Sequence, residues 1–351
     1  MFSFLQKFIA FKIINKIYKT LKLQCVLTYL RFLDLFSFMH YFAIMISLSN
    51  NQKKTTIFFI KLLIVIGAFY FIYNRLANDK TLNWGKFGQL VEEKATFISI
   101  FILLLFSVAN RYFEILKWQN LVKVINPISI GESSKQVLGA LTAGIFTPNG
   151  LGEYAGKALF FSKSETKKVI FLNLVCNGIQ MILSVVFGTI GLFILGYWKW
   201  SFAIIGLAIF LILFSFFTKK IKIKDYSIEK LIQKINEIPK AIHRKNIGLA
   251  ICRYLVFSHQ YYFLFLLFGV DLPYITLISS IAAVYFLASS LPSFQFLDFA
   301  IKGSVAIFFF GKLGVSDWIV VFISTLMWFL NVVLPVIIGS YFVLTFKTKK
   351  T

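Results

Sequence analysis

Long apolar runs separated by short clusters of charge dominate the chain, and their lengths predict membrane-spanning helices rather than the alternating faces of a soluble fold. Residues 57–73 are apolar except for Lys61, which can snorkel its ammonium toward the interface. After a polar loop at 74–94, further spans are predicted at 95–118, 169–198, 202–217, 247–268 and 317–346. Trp198, Lys199 and Trp200 read as the turn between the third and fourth of these, with the two tryptophans as interfacial anchors.

Two apolar segments carry interruptions. Residues 136–161 are broken by Thr147-Pro148-Asn149-Gly150-Leu151-Gly152, and residues 274–310 by Leu291-Pro292-Ser293. Proline removes a backbone donor and glycine loosens the chain, so each segment reads as two helices too short to cross about 30 Å of hydrocarbon.

Composition agrees with a membrane protein. Of 351 residues, 58% are hydrophobic and 15% charged, and the mean hydropathy is +0.79. A soluble domain carries about a quarter charged residues. Lys and Arg number 37 against 14 Asp and Glu. In an apolar chain this excess marks cytoplasmic loops, which argues against a nucleic-acid partner. The loop at 219–245 holds nine basic residues and three acidic ones, placing it inside the cell, and the tail with Lys347, Lys349 and Lys350 follows it.

Parity of crossings then shapes the broken segments. The first, flanked by Lys123, Lys135, Lys163, Lys167 and Lys168, must enter and leave on the cytoplasmic side, and the second on the opposite side. The expected fold is an all-α polytopic membrane protein with about six full spans and two opposed re-entrant broken-helix hairpins, an inverted-repeat-like plan with its site near the midplane. Three regions follow: a basic N-terminal part at 1–54, a transmembrane domain at 55–346 and a basic tail at 347–351. Residues 1–50 read either as an amphipathic interfacial helix or as a translated upstream region preceding a natural start at Met45. The expected location is the inner cell membrane, multi-pass, with both termini cytoplasmic.

Each break is followed by an acid and, four residues on, a lysine: Glu153 and Lys157, then Asp298 and Lys302. That spacing puts acid and base on one helix face, and the acid suits the positive end of the helix dipole. A charge at membrane depth costs about 2.5–3.5 kcal/mol on insertion scales, so four of them predict ion pairs or a polar cavity. Two readings follow: a cavity in which the lysines receive an anionic headgroup, or structural ion pairs that bind nothing. Arg111 and Glu114 either join the same network or anchor a helix end beside Lys117 and Trp118. Asn173, Asn177, Gln180 and Ser184 form one polar stripe, read as helix-to-helix glue or as cavity lining. Gly152 and Gly156 have the small-xxx-small spacing of close helix packing, with backbone approach to a ligand as the alternative. Arg253 and His259, six residues apart, do not share a face closely, and His259 reads as a core residue.

No metal or cofactor is expected. Cys25, Cys176 and Cys252 are isolated, His40, His243 and His259 are dispersed, and no CxxC or HExxH spacing occurs. Gly156-Lys157 and Gly311-Lys312 lack the earlier glycine of a phosphate loop.

The break Thr147-Pro148-Asn149-Gly150-Leu151-Gly152-Glu153-Tyr154-Ala155-Gly156-Lys157 resembles the Pro/Gly-rich Gly-Glu motif of the lysylphosphatidylglycerol synthase transmembrane region and its stand-alone flippase-like relatives. The stretch from Arg111 to Trp118 is similar to that family's Arg-plus-Trp helix end. The likeness covers about residues 55–346. It implies a multi-pass bacterial or archaeal protein whose bifunctional relatives flip an aminoacylated phospholipid made by an attached soluble domain. No such domain follows the last span, so aminoacyl transfer is not expected. The second break, Pro292-Ser293-Phe294-Gln295-Phe296-Leu297-Asp298, departs from the family in lacking glycines.

The sequence therefore predicts a flippase-like transporter of an anionic or amphiphilic phospholipid or glycolipid, with Glu153, Lys157, Asp298, Lys302, Arg111 and Glu114 contacting the headgroup and Pro148, Gly150, Gly152 and Pro292 forming the breaks. The alternatives are a membrane-embedded headgroup-modifying enzyme, with Glu153 or Asp298 as general base, and a partner subunit of a lipid-synthesis enzyme.

Overall fold

A computed structural model describes residues 84–94, 96–145, 147, 150–218, 227–291 and 298–346. The chain divides into two compact units, residues 1–60 and 61–351, and everything below concerns the second. The expected N-terminal region, the expected span at 57–73, the tail at 347–351 and both prolines, Pro148 and Pro292, lie outside the described residues.

The described residues are helical, without strands. In chain order the helices are α1 (Trp84–Lys94), α2 (Phe97–Val122), α3 (Ile130–Gly144), α4 (Leu151–Ala158), α5 (Thr166–Ile194), α6 (Trp198–Thr218), α7 (Ile228–Asn236), α8 (Lys240–Leu267), α9 (Tyr274–Ser290), α10 (Asp298–Lys312), α11 (Asp317–Trp328) and α12 (Leu334–Thr345). A π turn, Phe329–Val333, joins the last two. Among the described residues four helices are long and apolar enough to cross a membrane: α2, α5, α6 and the continuous Asp317–Thr345. The expected span at 247–268 lies within α8, whose early turns carry Lys240, Arg244 and Lys245 and whose middle carries Arg253, and α8 is not one of the four.

Local chemistry sets the boundaries. The Thr96 hydroxyl accepts the Ser99 amide and starts α2. Ser129 accepts the Glu132 amide and starts α3, six residues before the expected break segment begins. Both are side-chain caps of otherwise orphaned helix N–H groups. Two sequence expectations change. Part of the loop expected at 74–94 is helix α1, in keeping with the helical spacing of Trp84, Phe87 and Val91. The turn between α5 and α6 is Leu195–Gly196–Tyr197, not the Trp-Lys-Trp run. Gly196 takes φ +84, and the Tyr197 amide reaches back to the Leu192 carbonyl at 2.9 Å, so a left-handed glycine closes the helix and Trp198 already belongs to α6.

Both interrupted segments are pairs of short helices: α3 and α4 have 15 and 8 residues, and α9 and α10 have 17 and 15. All fall short of the roughly 20 residues a spanning helix needs. The pairs pack at opposite ends of the long helices. Val137 of α3 and Ala158 of α4 join Trp118 and Val122 near the end of α2 and Val169 and Leu172 near the start of α5. Ile281 of α9 and Phe309 and Phe310 of α10 instead join Leu103 near the start of α2 and Leu192 near the end of α5. Between these cores a third cluster brings Ile145, just after α3, to Phe299 at the start of α10, with Trp328, Val333 and Val336 between them.

Close backbone approach holds α4 on α3. A Cβ on Gly152 would sit 2.8 Å from the Ala143 carbonyl oxygen, and one on Gly156 would sit 2.9 Å from Ala140 Cα. Gly150, at φ 66, makes the left-handed entry into α4. The two glycines of α4 therefore pack helix against helix.

Gly156→Leu is expected to lower stability by about 1–3 kcal/mol, the usual cost of overpacking, and Gly178→Ala, which meets nothing within 4 Å, to change it little. Thermal unfolding of the purified protein in detergent measures both.

Candidate functional site

Helix periodicity places Asn110, Arg111, Glu114 and Lys117 on adjoining positions of α2, three and four residues apart. Glu114 is 6% exposed and Lys117 fully buried. A buried carboxylate needs partners, and Glu114 has two guanidinium groups. Arg111 pairs with it from the preceding turn of the same helix. Arg253 of α8 reaches the same oxygen, with Nη2 at 3.3 Å.

Neutral groups fill out the network. Arg253 Nε donates to Asn110 Oδ1 at 3.0 Å, and Asn110 Nδ2 donates to Asn331 Oδ1 at 2.6 Å. Asn331 Nδ2 donates to Gln260 Oε1 at 2.9 Å, and Gln260 Nε2 donates to Ser107 Oγ at 2.7 Å. Arg111 Nη2 donates to the backbone carbonyl of Asn331 at 2.5 Å. That carbonyl is accessible for a covalent reason. In an α-helix it would accept the amide of residue 335, but Pro335 has none, and the π turn at 329–333 loosens the ladder here. The proline thus prepares an acceptor for the arginine.

Two lysines lie beside this network. Lys117 Nζ donates to the Cys176 carbonyl at 3.1 Å and to Gln180 Oε1 at 3.2 Å. Lys157, 1% exposed, donates to Asn173 Oδ1 at 2.6 Å and rests 4.6 Å from the centre of the Trp118 ring, a cation–π contact. Trp118 is held in turn by its indole N–H on Gln136 Oε1 at 2.7 Å. Two guanidinium groups thus hold the Glu114 carboxylate, and two buried lysines lie nearby on amide, carbonyl and indole partners. Glu153 on α4 is also buried. Arg111 Nε, Asn173 Nδ2 and Gln180 Nε2 are buried donors without a hydrogen-bond acceptor among the described residues.

The structure redistributes the residues expected from sequence. Arg111 and Glu114 are central. Lys157 joins them but turns to Asn173 on α5 instead of pairing with Glu153 four residues away, because α4 lies against α5 and an amide is within reach there. Glu153 packs against Gly144 of α3. Asp298 and Lys302 do pair, at 2.5 Å, each about a quarter exposed, and form a separate unit. Lys302 lies 4.9 Å from the Tyr285 ring. Pro148 and Pro292 are outside the described residues, while Gly150 and Gly152 shape the first break as above.

The polar stripe of α5 serves the buried lysines: Asn173 accepts from Lys157, Gln180 from Lys117, and Asn177 donates to the Tyr154 hydroxyl at 3.3 Å. The sequence reading named Arg253 without a partner and did not single out Asn110, Gln260 or Asn331. The spacing of Asn331 and Pro335 was the available signal. His259 is only half-buried and bonds to the Leu255 carbonyl and the Tyr274 hydroxyl, so it is not a core residue. Among the described residues no group of His, Cys, Asp and Glu could hold a metal ion.

No protein-family model, no curated protein and no solved structure matches this chain.

Glu114→Gln leaves two guanidinium groups without their shared counter-charge, and breaking a buried ion pair costs roughly 3–5 kcal/mol. The expected result is a large fall in unfolding temperature. Glu132→Gln, which loses a solvent-exposed bridge to Lys135 at 3.5 Å, is expected to cost about 1 kcal/mol or less.

Proposed function

We propose that the protein is a flippase-like membrane transporter that carries an anionic or amphiphilic lipid across the bilayer, the headgroup passing through the cationic cluster around Glu114. The observation that carries this reading is the pairing of two arginines with one buried carboxylate beside two buried lysines, with buried donors left over. Burying excess charge is costly, and the arrangement suits a visiting anion that supplies the missing negative charge. A phosphate headgroup offers several acceptor oxygens, and arginine meets such groups with paired, charge-assisted hydrogen bonds.

In this reading the chain has about six full spans, its termini cytoplasmic, with α3–α4 and α9–α10 as re-entrant hairpins entering from opposite faces. Support comes from the packing of the two pairs at opposite ends of α2 and α5 and from the meeting of Ile145 with Phe299 in the cluster around Trp328. Mirrored interruptions of this kind mark the midplane sites of inverted-repeat transporters. The resemblance of residues 147–157 and 111–118 to the lysylphosphatidylglycerol synthase transmembrane region points the same way.

The residues would act in series. Asp298 and Lys302, partly exposed, offer the first charged contact, with Tyr285 leading inward to Arg253 and Arg111. Lys117 and Lys157 complete the path on the α4–α5 side. Each step replaces part of the headgroup's water with fixed donors, which lowers its desolvation cost, while the acyl chains stay in lipid. The protein in this account does no covalent chemistry on the lipid.

Proteoliposomes containing a tail-labelled fluorescent phosphatidylglycerol test the proposal through dithionite quenching. Wild-type protein is expected to move the lipid between leaflets and to leave it chemically unchanged by mass spectrometry. The double variant Lys117→Met, Lys157→Met, if folded, is expected to do so at least about tenfold more slowly, the equivalent of ~1.4 kcal/mol. A folded double variant working at the wild-type rate contradicts the proposed route.

A further inference from the structure

Away from the Glu114 cluster, α7 and the adjoining parts of α5 and α6 enclose a groove of about 1130 Å³. That is above the roughly 300–1,000 Å³ of pockets for small soluble ligands. Its lining is part apolar and part basic. Ile170 and Leu174 of α5, Phe214 of α6 and Leu231 of α7 line it and are 40–52% exposed. Lys167, Lys230 and Lys234 stand at the same groove, with Glu237 as the one acidic lining residue among those described. The wall formed by α7 is capped at its start and anchored at its far end. Ser227 caps its first turn, accepting the Lys230 amide at 3.2 Å. At its other end Ile238 is 3% exposed in the core with Trp118 and Val122, and His243 Nε2 bonds to the Ile235 carbonyl at 2.9 Å.

The pattern within α7 follows from this placement. Ile228, Leu231, Ile232 and Ile235 recur at helical spacing, with Lys230, Gln233 and Lys234 between them. An isolated nine-residue helix is marginal in water, and here it is followed directly by the buried Ile238. Phe214 and Thr218 belong to the last turns of α6, a helix whose only buried residue is Ser201 and whose composition suits lipid contact. The groove therefore adjoins the end of a membrane-spanning helix, at the level where acyl chains give way to headgroups.

We propose that this groove binds one anionic phospholipid of the surrounding bilayer, with its phosphate on Lys167, Lys230 and Lys234 and its upper acyl chain along Ile170, Leu174, Phe214 and Leu231. The argument is complementarity of charge and polarity. Three lysines against one glutamate select a negative headgroup over a zwitterionic one, and the apolar wall selects a chain-bearing molecule over free phosphate. This site is distinct in residues from the Glu114 cluster and does not depend on the transport reading.

Native mass spectrometry of the full-length protein, released from nanodiscs of mixed phosphatidylglycerol and phosphatidylcholine, tests the proposal. Wild-type protein is expected to retain phosphatidylglycerol in preference to phosphatidylcholine. The triple variant Lys167→Gln, Lys230→Gln, Lys234→Gln is expected to lose that preference by roughly tenfold or more. A second triple variant, Lys163→Gln, Lys240→Gln, Lys245→Gln, removes the same charge from exposed positions outside the groove lining and is expected to keep it. Equal retention of both lipids by wild-type protein, or an equal loss in both variants, overturns the proposal. Leaflet-exchange rates, measured separately, distinguish failure here from failure of the transport route.

Discussion

The carboxylate of Glu114 holds two guanidinium groups, one from its own helix and one from α8, in a region where none of the three charges could remain without the others. Because Arg111 also bonds to the Asn331 carbonyl and Arg253 to Asn110, this one acidic group joins α2, α8 and the π turn between α11 and α12. The rest follows from that constraint. The long helices are tied to one another by these charge and amide contacts as well as by the three apolar clusters. The short helix pairs complete the cores.

Irregular backbone occurs where those constraints need it. Pro335 leaves the Asn331 carbonyl without its α-helical donor, and an arginine from another helix uses it. Gly150 lets the chain turn into α4, and Gly152 and Gly156 bring α4 onto α3 closely enough for Lys157 to reach the Trp118 ring and Asn173. A helix break, a proline and a pair of glycines each cost local regularity. Each places a polar group that a regular helix would have pointed elsewhere or left without a partner.

Much of this was legible along the chain and some was not. The two broken segments could be read because proline and glycine act locally, and four of the long apolar runs because hydrocarbon thickness sets their length. The polar stripe of α5 was visible as a stripe, though its partners were not. Spacing alone put Glu153 and Lys157 on one face and suggested that they pair. Whether a lysine turns to an acid on its own helix or to an amide on another depends on how closely the helices approach, which periodicity does not encode. The partner of Arg253 was hidden for the same reason: nothing local to α8 points to a carboxylate on α2. The turn before α6 was misassigned because two tryptophans and a lysine look interfacial, whereas the deciding residue was the glycine just before them.

A double-mutant cycle on unfolding stability tests the central claim most directly, comparing wild type with Glu114→Gln, Arg253→Met and the two together. If Glu114 is the counter-charge that ties α8 to α2, the double variant should be less damaged than the sum of the single variants, with a coupling of about 1–3 kcal/mol. Strict additivity, with a coupling near zero, would mean that the two side chains do not depend on one another and would contradict the account.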